Sequence, residues 1–318
     1  MVRGGTVRAV AELVRLPAVL SVPGDVLLGE AAGGRRTSPG RLAALCLSSS
    51  CLYLGGMALN DWADREVDAR ERPHRPIPSG RVSAGTALGV AAGLTAAGLV
   101  AAAAGGGARG LGVAVPVAAA AWGYDLVGKS TAVAPLSMAT ARALDVLLGA
   151  SGGSLARALP AAGIVGAHTA VVTGLSRHEV EGGDATPGRN ALLGTAAVTA
   201  AAAALAARRA GASASTSLLR EDGEGWAVAL GTGRAEPRRL VPALGLLAAY
   251  AATVGAAQDR ARRTADAPTI QRAVGAGVLG LIPLEAGLMA AQGRVRTAAA
   301  VAGLWPLART LARRRSVT

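Results

Sequence analysis

Five stretches of the sequence contain no charged residue and are long enough to cross a lipid bilayer, and no other feature constrains the fold as strongly. Each stretch is rich in Ala, Leu, Val and Gly, and together they cover residues 42–60, 82–108, 158–176, 190–207 and 240–258. A helix needs about 20 mostly apolar residues to cross a hydrocarbon core of about 30 Å. The chain is therefore predicted to be a multi-pass integral membrane protein.

Five further apolar stretches each contain one or two charged residues and are weaker candidates for membrane spans: 13–29, 110–127, 131–151, 273–291 and 297–312. The stretches are much longer than the strands of roughly 10 residues that build a membrane barrel, and a helix satisfies its own backbone hydrogen bonds in lipid. We therefore predict an all-α fold, a polytopic transmembrane helix bundle of about nine or ten helices that encloses a central cavity. Residues 1–318 are predicted to form one domain, with a flexible insertion at 208–239.

The net charge of +13 raises the question of a nucleic-acid partner. Basic residues are scattered through short connections, and aromatic residues make up only 2% of the chain, so no nucleic-acid partner is expected. Anionic lipid headgroups of the bilayer and an anionic substrate account for the charge better. With the N-terminus inside, the positive-inside rule puts residues 61–81, Lys129 and 177–189 on the cytoplasmic side of the plasma membrane, whereas 208–239 falls outside against the rule.

The segment from Asn60 to Glu71, N-D-W-A-D-R-E-V-D-A-R-E, follows the first charge-free stretch directly. If it is helical, one face gathers polar residues within an arc of roughly 100°, and Glu66 points away: Asn60, Asp61, Asp64, Asp68 and Glu71. Like charges at this spacing destabilise a helix unless a cation lies among them, and Mg²⁺ prefers carboxylate oxygens together with substrate phosphates. A solvated charged loop, with its acids offset by neighbouring arginines, is the alternative.

A proline-rich segment, R-P-H-R-P-I-P-S-G-R, follows from Arg72 to Arg81. Its three prolines are expected to end the helix and to hold an extended segment beside the acidic face. Arg72 and Arg75 are then candidates for binding diphosphate oxygens, because a guanidinium can make two parallel hydrogen bonds to phosphate.

The run N-D-x-x-D-x-x-x-D followed by R-P-x-R-P-I-P-S-G resembles the first aspartate-rich motif of the UbiA superfamily of intramembrane prenyltransferases, which includes 4-hydroxybenzoate polyprenyltransferase-like enzymes. The resemblance implies Mg²⁺-dependent transfer of an isoprenyl group from an allylic prenyl diphosphate to a small aromatic or related acceptor. It also implies that Asp61, Asp64 and Asp68 bind Mg²⁺ and the diphosphate, with Asn60 assisting.

Residues 177–189 resemble the second acidic motif of that family, whose usual pattern is D-x-E-G-D. Here Glu179 replaces the leading aspartate, and an additional glycine precedes Asp184. The resemblance implies that Glu179, Glu181 and Asp184 hold a second Mg²⁺. An ordinary polar loop between two spans is the alternative.

Lys129 is the single lysine among 33 basic residues. Its segment, W-G-Y-D-L-V-G-K-S, resembles the family's Tyr-x-x-x-x-Lys stretch, which implies that Lys129 neutralises the diphosphate and that Tyr124 lies at the substrate. A positive-inside anchor is the alternative for Lys129. For Tyr124, the ring face can stabilise an allylic cation, and an interfacial aromatic belt explains the same placement.

Arg142 and Asp145 lie three residues apart in a weaker span, and charges in a membrane are usually paired or functional. The segment R-A-L-D-V-L-L-G-A resembles the family's fifth span, which implies that both residues bind substrate near the cavity. A structural ion pair is the alternative.

Two other functions compete with the transferase. A non-catalytic scaffold that binds isoprenoids would explain the altered second acidic motif. A transporter would be expected to have internal pseudo-symmetry and paired broken helices, and the sequence indicates neither clearly. The acceptor, the prenyl chain length and the oligomeric state are left open by the sequence.

Overall fold

The computed structural model describes residues 2–14, 22–128, 134–180, 182, 184–221 and 237–315. Every regular element within these ranges is helical, which confirms the predicted all-α class. The α-helices are α1 (Val2–Leu13), α2 (Pro23–Gly33), α3 (Pro39–Ala63), α4 (Arg65–Glu71), α5 (Ala84–Gly123), α6 (Ala134–Gly149), α7 (Leu155–Ser176), α8 (Ala185–Glu221), α9 (Pro237–Thr264), α10 (Ala267–Ala291) and α11 (Val295–Arg315). A π-helical turn (Tyr124–Gly128) and a 3₁₀ turn (Ala150–Gly152) complete the described elements.

Six helical segments among the described residues are long and apolar enough to cross a membrane: Pro39–Ala63, Ala84–Val127, Leu155–Ser176, Ala185–Gly211, Arg238–Thr264 and Ala267–Ala291. All five charge-free stretches lie along these segments, and so do the weaker stretches 110–127 and 273–291. The predicted total of nine or ten spans stays a prediction, because α2 and α6 have only 11 and 16 residues.

Helix α5 is broken at Gly107, whose φ of 63° and ψ of −151° are not helical. Glycine tolerates this conformation because it has no Cβ. A Cβ on Gly110 would lie 2.5 Å from the carbonyl oxygen of Ala102, whereas residues eight apart on a straight helix are about 12 Å apart. The chain therefore turns back at Gly107, and the stretches 82–108 and 110–127 form separate helices, as the sequence predicts.

The chain divides into two compact units, Met1–Ala162 and Gly163–Thr318. In the first unit, α3 packs along α5 and α2 packs along α6, and α5 also contacts α6. A side chain at Gly29 or at Gly149 would collide with the backbone carbonyl of the opposite helix, that of Val146 or Val26 respectively. Such close approach of backbones at small residues is how membrane helices associate without a hydrophobic driving force between them.

In the second unit, α10 packs against α8, α9 and α11. Glycines of α10 again allow close contact, since Gly287 lies against Leu247 and Gly280 lies against Val254. Helix α8 continues to Glu221 and α9 begins at Pro237, so residues 208–221 of the predicted insertion are helical, and residues 222–236 lie outside the described residues.

Candidate active site

The acidic face forms where α3 continues into α4. The helical hydrogen-bond pattern runs through the junction, since the amide of Asp64 donates to the carbonyl oxygen of Asn60 (3.0 Å) and the amide of Asp68 donates to that of Asp64 (2.8 Å). Asp61 and Asp68 are buried at 5% and 2% exposure, Asp64 is half-buried, and Glu66 is exposed. Asp61 and Asp68 lie inside and Glu66 points away, as predicted, whereas Glu71, which was predicted to share this face, is exposed at the end of α4.

A single guanidinium group lies between the two buried carboxylates. Arg75 Nη1 donates to Asp68 Oδ2 at 2.6 Å and to Asp61 Oδ1 at 3.3 Å. Arg72, which is exposed, lies farther away, with its Nη1 3.8 Å from Asp68 Oδ1. Buried charges are costly unless they are paired. Arg75 supplies a positive charge that pairs with both Asp61 and Asp68.

The proline-rich segment holds Arg75 over the acidic face, but its predicted extended conformation is wrong. It is a series of turns, in which the amide of Ser79 donates to the carbonyl oxygen of Arg75 (3.0 Å) and the amide of Val82 donates to that of Pro76 (3.0 Å). Proline fixes φ near −65°, a value that suits tight turns as well as extended chain. The turns bring the segment back toward α4.

Arg81 attaches these turns to α1. Its guanidinium forms a two-pronged pair with Glu12, with Nη1–Oε2 and Nη2–Oε1 distances of 2.6 and 3.0 Å, and it also donates to the carbonyl oxygen of His74 (2.6 Å). The hydrogen bond from Arg81 lowers the pKa of the Glu12 carboxyl below its usual value. The pair connects the arginine-bearing turns to a helix far away in the sequence.

The residues present fit Mg²⁺. Asp61 and Asp68 offer hard carboxylate oxygens that already face one cation, and Mg²⁺ is typically held by one or two carboxylates together with substrate phosphates and water. The described residues contain no group of three or more His, Cys, Asp or Glu side chains placed to hold a metal. Two carboxylates would then be the protein's ligands, and the other coordination positions of the ion would be left to water or phosphate oxygens.

A cavity of about 270 Å³ begins beside Asn60 and runs between α3, α5, the π-helical turn and α6. Its walls are mainly apolar, and the structure brings four of the predicted substrate-binding residues to it: Asn60, Tyr124, Arg142 and Asp145. Ser49, Tyr53 and Asp125 also line it. The substrate-binding role of these residues stays a prediction.

Asp125 also lines the cavity, but the sequence analysis gives it no role, because it is only the charged residue of the weaker stretch 110–127. It is buried, lies in the π-helical turn, and accepts a hydrogen bond from Asn60 Nδ2 at 3.0 Å. Single π-helical turns occur frequently at functional sites. Its position directly after Tyr124 was the signal that could have identified it.

A buried polar cluster lies at the other end of the cavity. Arg142 Nη1 is 2.9 Å from Oδ2 of Asp25, which is fully buried, and the hydroxyl of Ser49 donates to Asp145 Oδ2. Arg142 therefore forms a buried ion pair with Asp25 and also lines the cavity, while its predicted substrate-binding role stays a prediction. Asp25 follows Pro23 and Gly24 in the weaker stretch 13–29, a turn-like segment in which a contact with the acceptor is plausible, whereas Ser49 had no distinctive sequence signal because long-range packing brings it here.

Four aromatic residues lie beside the motifs in the sequence, and they differ in whether they line the cavity. Tyr53 and Tyr124 line the cavity. The guanidinium of Arg65 lies 4.7 Å from the ring centroid of Trp62, and Trp122 Nε1 donates to Thr95 Oγ1 at 3.2 Å. Only the two tyrosines are therefore candidates for contact with a substrate in the cavity.

The second acidic motif lies in the second unit, between α7 and α8. Asp184 is exposed, and its Oδ1 accepts a hydrogen bond from the amide of Thr186 (2.8 Å) at the start of α8, which lowers the pKa of its carboxyl. Glu179 is half-buried. Glu181 and Lys129 lie outside the described residues. The second Mg²⁺ site therefore stays a prediction.

One glycine of this motif has a clear structural role. Gly182 has a φ of 69°, and a Cβ there would lie 3.0 Å from the carbonyl oxygen of Ala265. A left-handed conformation and a close backbone neighbour both favour glycine. Any other residue at this turn would strain the connection that carries Glu179 and Asp184.

Membrane-length helices, with the Arg75 guanidinium held between two buried carboxylates next to an apolar cavity, define the protein as a helical membrane protein with a buried acidic cluster. The model of the UbiA prenyltransferase family matches residues 26–271. The chain belongs to that family.

Individual relatives match over shorter segments. A segment of 98 residues is 39% identical to digeranylgeranylglyceryl phosphate synthase of Ignicoccus hospitalis and covers 31% of this chain and 32% of that protein. The first curated relatives, all digeranylgeranylglyceryl phosphate synthases, are matched over 18 to 34% of their own length. The activity and substrates of those proteins are therefore proposals for this chain.

Solved structures share the fold over nearly the whole chain. A chain from a structural study of digeranylgeranylglyceryl phosphate synthase in membranes superimposes with a TM-score of 0.61 at 14% identity, covering 90% of this chain and 98% of that chain. A UbiA homolog from Archaeoglobus fulgidus, bound to GPP and Mg²⁺, gives a TM-score of 0.55 at 14% identity and covers 88% of this chain and 99% of that chain. At such identities the likeness establishes the fold alone.

Proposed function

We propose that this protein catalyses the Mg²⁺-dependent transfer of an isoprenyl group from an allylic prenyl diphosphate to a small aromatic or related acceptor within the membrane. The observation that carries the proposal is the pair of buried carboxylates, Asp61 and Asp68, that share the guanidinium of Arg75 next to an apolar cavity. Family membership and a structural neighbour bound to GPP and Mg²⁺ support it.

Asp61 and Asp68 would hold Mg²⁺, with Asp64 at the junction beside them. When bound, the metal supplies Lewis-acid neutralisation of the diphosphate and a template that orients it. Arg75 and Arg72 bind diphosphate oxygens, and Arg75 exchanges its carboxylate partners for phosphate as it does so.

Lys129 contributes a further positive charge to the diphosphate. Glu179, Glu181 and Asp184 would hold a second Mg²⁺. Both roles are supported by the family resemblance of their segments.

The cavity would hold the prenyl chain and stabilise the positive charge that develops during the reaction. Its apolar walls hold the isoprenyl chain and keep water from the reacting carbon. The ring faces of Tyr53 and Tyr124 stabilise developing positive charge. Asn60, held by its hydrogen bond to Asp125, borders the diphosphate end.

The protein is proposed to lie in the plasma membrane with this site facing the cytoplasm. Six membrane-length helices and the arginine-rich segment 61–81 support that orientation under the positive-inside rule.

One observation favours a second candidate, a non-catalytic isoprenoid-binding protein. The Asp184 carboxylate is exposed and accepts a hydrogen bond from the amide of Thr186 at the start of α8. The second acidic motif, to which Asp184 belongs, also departs from the family pattern. Such a protein would bind prenyl diphosphate but would not consume it.

The test compares Asp68→Asn with Glu66→Gln in purified full-length protein in lipid nanodiscs. Transfer of a labelled prenyl group from geranyl and longer diphosphates to a panel of acceptors is measured with Mg²⁺ and with chelator. Asp68→Asn should lower the rate at least about a hundredfold, because a metal ligand is lost, whereas the exposed Glu66→Gln should leave it unchanged. A wild-type rate in Asp68→Asn contradicts the metal assignment, and binding without transfer by the wild type favours the non-catalytic protein.

A further inference from the structure

One end of the first unit, remote from the acidic site, brings three connections together. They are the loop between α2 and α3, the break of α5 at Gly107 and the 3₁₀ turn before α7. Arg41, at the start of α3, donates from Nε to the carbonyl oxygen of Gly105 at 2.8 Å. A Cβ on Gly152 of the 3₁₀ turn would lie 2.8 Å from Thr37 Oγ1 of the loop. The three connections therefore lie side by side.

These connections lie a membrane thickness away from the acidic site. Arg41 and Asp61 are near opposite ends of α3, about 30 Å apart along the helix axis. Helix α5 runs a similar length from Ala84, beside the proline-rich turns, to its break at Gly107. Both helices are long and apolar enough to cross a hydrocarbon core of about 30 Å. The three connections therefore belong to the membrane boundary opposite the acidic site.

This end of the unit is strongly basic. Segments 30–41, 105–110 and 150–157 contain Glu30 as their one acidic residue. The arginines of these segments, which we call the basic face, are all exposed: Arg35, Arg36, Arg41, Arg109 and Arg157. The positive amino ends of α3 and α7 also lie here, without an acidic residue in their first turns. One carboxylate cannot neutralise five guanidinium groups, so the basic face attracts anions.

The backbone holds two arginines of the basic face in place. Arg41 is held by its hydrogen bond to the carbonyl oxygen of Gly105. The guanidinium of Arg157 lies against Gly34, which has a φ of 78°, and a Cβ on Gly34 would lie 2.9 Å from Arg157 Cζ. Gly34 thus lets Arg157 lie against the loop that carries Arg35 and Arg36. Side chains that are already positioned lose less conformational freedom when they bind a ligand.

Apolar side chains border the basic face on its membrane side. Leu47, Leu111 and Leu159 are 58%, 37% and 55% exposed. Leu111 follows Arg109 by two residues and Leu159 follows Arg157 by two, each farther into its membrane-length helix. A phospholipid has a phosphate and an acyl chain in this same order across the membrane boundary. A soluble anion has no group that would contact the leucines.

We propose that the basic face binds anionic phospholipids in the leaflet opposite the acidic site, with headgroup phosphates on the guanidinium groups and acyl chains along the leucines. Arginine suits phosphate because a guanidinium can make two parallel hydrogen bonds to it. Under the proposed orientation this is the outer boundary, where the positive-inside rule disfavours arginine in short connections. A lipid ligand gives these arginines a role there. The inference does not depend on the transferase activity.

Lipid titration of the purified full-length protein in detergent tests the proposal. The probes are phosphatidylglycerol, which is anionic, and phosphatidylcholine with the same acyl chains, and native mass spectrometry measures the affinity for each. The wild type should bind phosphatidylglycerol about tenfold or more tightly, because each arginine near an anionic headgroup adds to the attraction. This preference should weaken as the salt concentration rises.

Two combined variants with the same loss of charge locate the site. Three substitutions in the basic face should reduce the preference at least about tenfold: Arg35→Gln, Arg36→Gln and Arg109→Gln. Three substitutions at exposed positions elsewhere are the matched control and should keep the preference: Arg70→Gln, Arg260→Gln and Arg296→Gln. All six side chains are exposed, so both variants should fold. A phosphatidylglycerol with a photoactivatable acyl chain should crosslink to peptides containing Leu111 or Leu159 in the wild type and the control, but not in the basic-face variant.

Equal affinity of the wild type for the two lipids overturns the inference. An equal loss of preference in the control variant, or crosslinking to other segments only, also overturns it. Displacement of phosphatidylglycerol by an equal concentration of inorganic phosphate would identify a site for soluble anions, which contradicts a lipid ligand.

Discussion

Replacing Arg75 with glutamine should destabilise the protein when Mg²⁺ is absent. The guanidinium is 19% exposed and neutralises Asp61 and Asp68, whose side chains are 6% and 3% exposed. Removing one partner of a buried ion pair costs about 3–5 kcal/mol. Arg72 remains 3.8 Å from Asp68 and offsets part of the loss, so we expect a net cost of about 2 kcal/mol.

That cost corresponds to a fall in melting temperature of about 4–8 °C for a unit of 150 to 250 residues. Mg²⁺ should recover more stability in Arg75→Gln than in the wild type, because the ion replaces the missing cation and stabilises the folded state that binds it. Thermal unfolding in detergent, with and without Mg²⁺, measures both effects. Arg72→Gln is the matched control and should cost less than about 1 kcal/mol, because its side chain is half-exposed.

The reasoning is refuted if Arg75→Gln melts at the wild-type temperature without Mg²⁺. It is also refuted if Arg72→Gln is equally destabilised, since the loss would then reflect the number of arginines rather than the position of Arg75 between two buried carboxylates.

Two further predictions concern the packing around the site. Gly149→Ala should lower the free energy of unfolding by about 1–3 kcal/mol or prevent folding, because the added Cβ would collide with the backbone of α2. The control Gly112→Ala should be tolerated, because there is open space around Gly112. Thermal unfolding compares the two variants, and equal stability would contradict the close packing of α2 and α6. The Glu12–Arg81 pair contributes stability above the usual Glu12 pKa of 4.5, and this contribution should disappear as the pH falls through the lowered folded-state pKa. Arg81→Gln should therefore increase hydrogen exchange in α1 at neutral pH. The free energy of opening α1 should fall by less than about 1 kcal/mol, because both side chains are exposed. Unchanged exchange would contradict the anchoring role of the pair.

The membrane helices were predictable because a hydrocarbon core requires about 20 apolar residues per crossing, and charge-free runs of that length are unambiguous. The separation of 82–108 from 110–127 was also predictable, since Arg109 marks it, and the structure breaks the helix at Gly107. The total number of spans was less predictable, because α2 and α6 are short and carry charged residues that tertiary partners neutralise.

The acidic face was predictable because helical periodicity fixes which side chains share a direction, and Asp61 and Asp68 are indeed buried together. The position of Arg75 was not, because it depends on turns that prolines allow but do not specify. The ion pair of Asp25 with Arg142 joins two helices far apart in the sequence, and local patterns carry no information on such contacts.

The most direct test of the central claim is the binding of geranyl diphosphate to purified protein, titrated with and without Mg²⁺, in the wild type, Asp61→Asn and Asp68→Asn. Tight binding by the wild type should require Mg²⁺, and each variant should bind at least about tenfold more weakly at the same Mg²⁺ concentration. Binding that is independent of Mg²⁺, or that is equally tight in the two variants, would contradict the assignment of these carboxylates to a metal-bound diphosphate.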